Sequence, residues 1–398
     1  MPVRTRIRTL IRIVQTTAMT DGVDEDGAVK SSLDALDRQL LELLIKRFDL
    51  VDQQLKGTTE SSSAESSDAA DIALTLQALG FADSSRDFSP SHSNSPANLT
   101  AGDNDRRQRL QGIFTEIIGQ CRDSVSPLTV AYLGPEGTFT QAATFKYFGS
   151  STDTRSFTDI DEVFRAVETG ECQLGVVPVE NSIEGTINRT LDRIIDSPLD
   201  ICGEEVLRIE HNLLSKASSL QDLDCVYAHP QALAQCRQWL SANLPQAAQK
   251  AASSNAAAAD IAAGDMRSAA IASLTAADIY GLQPLHKNIE DELSNTTRFI
   301  IIGKQQTVPS GQDVTSLVVS APHKPGGLRK MLEPFEDAGI SMTRIESRPA
   351  REALWSYVFF IDVAGHKDDT VMSVALSKLS AETRFLRVLG SYPTVRFG

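Results

Sequence analysis

The sequence predicts an α/β protein with a smaller βαββαβ unit at its C-terminal end and a helical segment in front. Three observations predict this. From Pro127 onwards, apolar runs of strand length alternate with helical periodicity. Residues 315–395 scan as strand, helix, strand, strand, helix, strand, the order of a ferredoxin-like unit. Residues 31–56 carry one amphipathic stripe, Leu33, Leu36, Leu40, Leu44, Phe48, Val51 and Leu55, at steps of three and four.

Length and composition bound the rest. A chain of 398 residues is expected to form two or three domains, and 41% hydrophobic against 23% charged residues is ordinary for a folded protein. The 38 basic and 52 acidic residues give a net charge of −14, which argues against nucleic acid as a partner. No run of 18 apolar residues exists, so no membrane span is expected. The five cysteines are odd in number and none are spaced C-x-x-C, which argues against disulfides and zinc and for a reducing, cytoplasmic setting. The six histidines have no ligand spacing, so no metal is expected.

In chain order, Met1–Thr20 carries Arg4, Arg6, Arg8 and Arg12 and no acidic residue. That is consistent with a transit peptide, a basic tail, or a start at Met19. Ser31 and Ser32 offer an N-cap for the helix over 31–56. From 57 to 105 serine dominates and eight acidic residues face one arginine, Arg86, so this stretch is expected to be disordered. Helical periodicity returns over 106–121. The α/β part then gives strands at 128–133, 174–179, 225–228 and 298–302. Helices are expected at 141–148, 186–195, 231–240 and 256–263. Residues 304–313 look like a linker. In the tail, strands fall at 315–320, 340–347, 354–363 and 384–389, with helices at 327–338 and 370–379. The expected units are 1–29, 30–125 with its insert 57–105, 128–303, a linker at 304–314, and 315–395.

Chemistry is expected where strands end and helices begin, because ligands of open α/β sheets bind there and helix N-termini favour anions. Three such turns stand out: Gly134-Pro135-Glu136-Gly137-Thr138-Phe139, Glu180-Asn181-Ser182-Ile183-Glu184-Gly185-Thr186 and His229-Pro230-Gln231. A fourth cluster, Asn295-Thr296-Thr297-Arg298, precedes a strand and sets a hydroxyl beside a guanidinium, a favoured carboxylate ligand. No nucleotide-binding fingerprint or serine-hydrolase elbow is present. On the residues alone, Thr297 also suits a strand start with Arg298 solvated, His229 a turn, and Glu180 and Asn181 a helix cap.

Taken together, the clusters resemble the prephenate dehydratase family. Five blocks carry the resemblance: GPEGTF at 134–139, PVENSIEGT at 178–186, HPQALAQC at 229–236, AADIYGL at 276–282 with Ile289-Glu290-Asp291 following, and NTTRF at 295–299. The tail resembles the ACT regulatory domain, with KPGGL at 324–328, ESRP at 346–349 and LGSYP at 389–393. Gly327 stands where alanine is more usual in the family.

The resemblance implies two α/β lobes around a cleft, similar to periplasmic binding proteins. It implies a carbon–oxygen lyase that converts prephenate to phenylpyruvate, carbon dioxide and water, with no cofactor and no metal. Thr297 matches the family's essential threonine and would assist departure of the 4-hydroxyl. Arg298 would hold a substrate carboxylate or brace Thr297. Asn181, Ser182, Thr138 and Gln231 would hydrogen-bond carboxylate and carbonyl oxygens, and Glu180 would orient these groups. Gly326, Gly327 and Leu328, with Glu346, Ser347, Arg348 and Pro349 of a neighbouring subunit, would bind L-phenylalanine as a feedback effector, in a homodimer or homotetramer.

SLDALDRQLLELLIKR at 32–47 resembles the first helix of the chorismate mutases often fused ahead of this enzyme. Arg47 and Lys30 fall on mutase active-site positions, but the remaining basic groups are replaced by the serine-rich stretch. The expectation is a mutase-like remnant. A bifunctional mutase–dehydratase and a non-catalytic phenylalanine sensor are the alternatives, and arogenate is the alternative substrate.

Overall fold

The computed structural model describes residues 39, 43, 112–113, 115–120, 122–123, 127–320, 325–349 and 357–394. The expectations for 1–29, the serine-rich stretch and nearly all of the helix over 31–56 lie outside these residues, as do Lys30, Arg47 and Lys324. Residues 112–113, 115–120 and 122–123 are helical.

The first lobe is built from β1 (Thr129–Leu133), α1 (Phe139–Phe148), β2 (Asp153–Phe157), α2 (Ile160–Thr169), β3 (Leu174–Asn181), β4 (Gly185–Thr186), α3 (Asn188–Asp196) and β5 (Asp200–Arg208). The second lobe contains β6 (Asn212–Ser215), β7 (Cys225–Ala228), α4 (Pro230–Gln235), α5 (Arg237–Asn243) and β8 (Ala248–Ala251). It continues with α6 (Asn255–Ala263), β9 (Ser268–Ala272), α7 (Leu274–Tyr280) and β10 (Gln283–His286). The chain then returns to the first lobe as β11 (Thr296–Gly303), which enters between β3 and β5 in the order β2-β1-β3-β11-β5. The second sheet runs β10-β6-β9-β7-β8. Residues 209–211 and 287–295 are therefore the two crossings between lobes. They are tied together: the Ile209 N–H donates to the Asn295 carbonyl at 2.8 Å and the Ile289 N–H to the His211 carbonyl at 2.8 Å.

The C-terminal unit is β12 (Asp313–Ser320), α8 (Gly327–Asp337), β13 (Met342–Pro349), β14 (Tyr357–Ala364), α9 (Thr370–Glu382) and β15 (Phe385–Pro393), with sheet order β13-β14-β12-β15. This is the expected βαββαβ order. One face of the sheet packs on α8 and α9 through Leu317, Val319, Met331, Phe335 and Leu379. The other face joins the core of the first lobe, where Val314, Val318, Phe360, Leu389 and Tyr392 pack with Val177, Ile194, Ile201, Ile300 and Ile302. The central strand β12 is therefore buried almost throughout, whereas the edge strand β13 (MTRIESRP) stays largely exposed.

Several elements depart from the sequence expectations. The helix expected over 186–195 begins at Asn188, because Gly185 and Thr186 pair with β3. The helix expected over 231–240 is two helices broken at Cys236 (φ −113°, ψ 14°). Asp313, read as linker, is the first residue of β12. β2 (DTRSF) and β8 (AQKA) lie at sheet edges and bury little, so they lack the apolar runs that announce a strand.

Candidate active site in the cleft between the lobes

β3 and β11 run antiparallel, with Thr297 opposite Asn181 and Arg298 opposite Glu180. Successive side chains on a strand point to opposite faces. The pairing then slips, so that Phe299 faces Pro178, a bulge that re-aims the strand end. As a result Asn181 and Thr297 face the cleft while Glu180 and Arg298 face the C-terminal domain.

The cleft has a volume of about 340 Å³ and is lined from both lobes. Thr138, Asn181, Asn295 and Thr297 stand with Gln231, Gln235, Asn255 and His211 around it, and Phe139, Ile187 and Phe299 supply apolar wall. The Asn181 Nδ2 donates to Thr297 Oγ1 at 2.8 Å and to Asn295 Oδ1 at 2.9 Å. The Oδ1 of the same amide accepts the N–H groups of Ile183 and Glu184 at 3.0 and 3.1 Å. That network fixes which end of the amide is which. Thr297 Oγ1 is thus an acceptor from Asn181, and its own proton is left to donate elsewhere.

The lining includes no lysine or arginine among the described residues; its one carboxylate is Glu184. An anion here must be held by neutral donors and helix ends. α1 begins in one lobe with Thr138 as its N-cap, and α6 begins in the other with Ser254 as its N-cap. First-turn N–H groups lack intrahelical acceptors, and the helix dipole favours negative charge.

His211 is 2% exposed and its Nε2 lies 2.7 Å from Gln235 Oε1. Gln235 Oε1 also accepts from Asn295 Nδ2, so His211 donates from Nε2, a tautomer assigned from the network. Its Nδ1 is a buried acceptor without a partner. Burial lowers the His211 pKa, against the opposing effects of Gln235 and Glu290. The ring meets Phe139 edge-on at 5.7 Å.

The geometry bears on four expected roles. It takes Arg298 away from a substrate carboxylate and leaves the alternative of bracing Thr297. It keeps Glu180 out of the cleft, beside the group it was expected to orient, and it engages the hydroxyls of Ser182 and Thr138 with the backbone. Arg298 is neither solvated nor in the cleft: its Nε meets Glu204 Oε2 at 2.8 Å, Nη1 meets Asp362 Oδ2 at 2.9 Å and Nη2 donates to the Tyr392 hydroxyl at 2.9 Å. Burial opposes the charge, but Tyr392, Asp362 and Glu204 together lift its pKa well above the ordinary arginine value. Glu180 points the same way, with Oε2 at 2.8 Å from Arg344 Nε. Ser182 is exposed and is spent on the Ser294 carbonyl and the Thr296 N–H. Thr138 lines the cleft, but its hydroxyl donates to the Leu133 carbonyl and accepts from Gln141 N–H. His229 caps α4 through Nδ1 while lining the cleft.

The sequence reading missed His211, Gln235, Asn255 and Asn295 as a group. Gln235 and Asn295 stand inside blocks already quoted; nothing near His211 or Asn255 in the sequence announces them. In the C-terminal unit, Gly326 (φ 78°) opens α8, followed by Gly327 and the exposed Leu328. Glu346, Ser347, Arg348 and Pro349 end the edge strand β13. Arg348 is turned onto the first lobe, with Nη1 2.6 Å from Asp192 Oδ1.

A two-lobed α/β protein with a neutral, donor-lined cleft and an attached βαββαβ domain is the class these features define. The family description "Prephenate dehydratase" matches residues 130–307, and "ACT domain" matches 315–373. A bifunctional chorismate mutase/prephenate dehydratase of Pseudomonas aeruginosa is 42% identical over 93% of this chain and 98% of its own. The crystal structure of prephenate dehydratase from Arthrobacter aurescens in complex with L-Phe superposes with a TM-score of 0.62 at 35% identity, covering 67% of this chain and 90% of that one. A structure described as GqqA, a novel type of quorum quenching acylase, also has a TM-score of 0.62, at 29% identity over 67% of this chain and 98% of that one. The chain belongs to the prephenate dehydratase family and carries an ACT domain.

Proposed function

We propose that the cleft converts prephenate to phenylpyruvate. The bond from the ring to its carboxylate breaks, releasing carbon dioxide, and its electron pair enters the ring. The bond to the 4-hydroxyl breaks in turn, and that oxygen leaves as water after gaining a proton. Aromatisation supplies the driving force, so the protein has to orient the substrate and assist the departing oxygen.

The observation that carries this reading is the bond from Asn181 to Thr297. It occupies a lone pair of Thr297 and leaves the hydroxyl proton for an acceptor in the cleft. Thr297 then hydrogen-bonds the departing 4-hydroxyl. An alcohol is a weak acid, so its role is to orient or relay a proton. Carboxylates are held by the amide groups of Gln231 and Asn255 and by the N-terminal turns of α1 and α6. The cleft is lined from both lobes, so these donors can meet on one substrate.

L-phenylalanine is proposed as the effector. It would bind between Gly326–Leu328 of one copy and Glu346–Pro349 of another, in a homodimer or homotetramer. The support is the ACT match and the L-Phe complex of the Arthrobacter relative. A second reading adds chorismate mutase activity. It is favoured by the Pseudomonas relative, whose similarity spans 93% of this chain and so runs into the segment ahead of residue 127. The replacement of that segment's basic groups keeps a mutase-like remnant as our reading. The test is phenylpyruvate formation from prephenate by the purified full chain, with and without L-phenylalanine.

A further inference from the structure

The backs of the two strands that carry Asn181 and Thr297 are held by the C-terminal domain. Arg298, next to Thr297, is gripped by Asp362 of β14, by the Tyr392 hydroxyl of β15 and by Glu204 of β5. Each of these partners is itself fixed from the C-terminal unit. Ser316 donates to Asp362 Oδ1 at 2.6 Å and lies 2.7 Å from the Tyr392 hydroxyl, while Thr394 donates to Glu204 Oε1 at 2.7 Å. Glu180, next to Asn181, is held by Arg344 of β13. Gly390 makes this approach possible: a Cβ there would lie 2.1 Å from the Ile201 carbonyl oxygen of β5. The LGSYP run, which has no place in the chemistry of the cleft, is thereby accounted for.

We propose that Asp362, Tyr392 and Arg344 are positioning residues of the active site, fixing Asn181 and Thr297 through Glu180 and Arg298. This rests on the reading of the cleft as the dehydratase site. Because strand neighbours face opposite ways, a shift of Arg298 or Glu180 at the interface is a shift of the backbone that places Thr297 and Asn181. The bulge after Arg298 interrupts the ladder between these strand ends and the rest of β11. β13, the edge strand that carries Arg344, also carries Glu346–Pro349, so the same contact joins the proposed effector segment to the catalytic strand.

The test uses the full chain with Tyr392→Phe, Arg344→Gln and Asp362→Asn. Arg387→Met serves as the control. Arg387 also bridges the domains, donating to the carbonyls of Ile194, Ile195 and Leu199, but not behind the cleft. Tyr392→Phe removes one hydroxyl and keeps the ring, so it guards against a failure of Asp362→Asn to fold. The first three variants should lower kcat for prephenate by roughly 3- to 30-fold, with KM within about twofold of wild type, whereas the control keeps its kcat. Hydrogen exchange should speed up in peptides spanning 178–182 and 295–299 and not across the second lobe. An equal loss of kcat in Arg387→Met would reduce the effect to general loosening and overturn the proposal; so would unchanged kcat in all three variants. If the wild-type chain forms no phenylpyruvate, the functional reading fails, and exchange alone decides: faster exchange confined to those two segments supports the positioning role, and unchanged exchange refutes it.

Discussion

The side-chain amide of Asn181 donates to the hydroxyl of Thr297 at 2.8 Å and accepts two backbone N–H groups with its other end. Reversing the amide would lose both N–H bonds and set its oxygen against Asn295 Oδ1. The orientation assigns the Thr297 proton to the cleft. Thr297→Ala is expected to lower kcat by roughly 10²–10⁴, while Thr297→Ser, which keeps the hydroxyl, retains most of it. Steady-state rates with prephenate decide this, and a folded Thr297→Ala variant of near-normal kcat would remove Thr297 from the mechanism.

Asn181→Asp is a sharper probe, because it preserves shape. The carboxylate still accepts from Ile183 and Glu184 but loses the donations to Asn295 Oδ1 and the Thr296 carbonyl, so thermal unfolding is followed beside the kinetics. It can no longer donate to Thr297, whose proton turns towards it and away from substrate, and it adds negative charge beside a dianion. A loss of kcat/KM of about 10²–10³ is expected, comparable to deleting one preorganised donor. Wild-type kinetics in Asn181→Asp would contradict the assigned direction of this hydrogen bond.

The blocks around Thr297 and Asn181 were legible because each lies in a short polar run at a strand end. The side on which their neighbours point was not. Arg298 beside Thr297 reads as a substrate ligand until the register of β11 against β3 is known, and a bulge after Arg298 sets that register. The order of elements in the tail was legible because apolar runs such as 317–319 and 358–361 alternate with helical periodicity, although the start of β12 at Asp313 was not. β9 (SAAIA) was missed for the opposite reason: its buried residues are mostly alanines, which carry no strand signal. His211 and Gln235 meet only because residues 209–211 and 287–295 cross between lobes side by side, a relationship with no local trace in sequence.

Gly390→Ala should separate domain docking from folding of the individual domains. The added methyl group would overlap the Ile201 backbone, so β15 must back away from β5. A destabilisation of about 1–3 kcal/mol is expected from such overpacking. Thermal or urea unfolding measures it, and an unchanged midpoint would show that the two strands do not approach as described.

The acid limb of stability carries a contribution from His211. Burial lowers its pKa in the folded protein, while the unfolded chain titrates at the ordinary value of about 6.5. Below that value the unfolded state binds the proton first, so stability falls as pH drops from about 6.5 towards the folded pKa, and the contribution is fully present only above about 6.5. His211→Gln should flatten this part of the profile, because glutamine takes up no proton. Equal losses of Tm in wild type and His211→Gln between about pH 7 and about pH 5.5 would contradict the buried, neutral state of the imidazole.

The central claim is tested most directly by supplying prephenate and chorismate separately to the purified full chain and to Thr297→Ala. The account predicts phenylpyruvate from prephenate, its near-complete loss in Thr297→Ala, and no prephenate from chorismate. Prephenate formed from chorismate would make the protein bifunctional and contradict the remnant reading of its N-terminal segment. A folded wild-type chain that binds L-phenylalanine yet leaves prephenate untouched would contradict the dehydratase assignment itself.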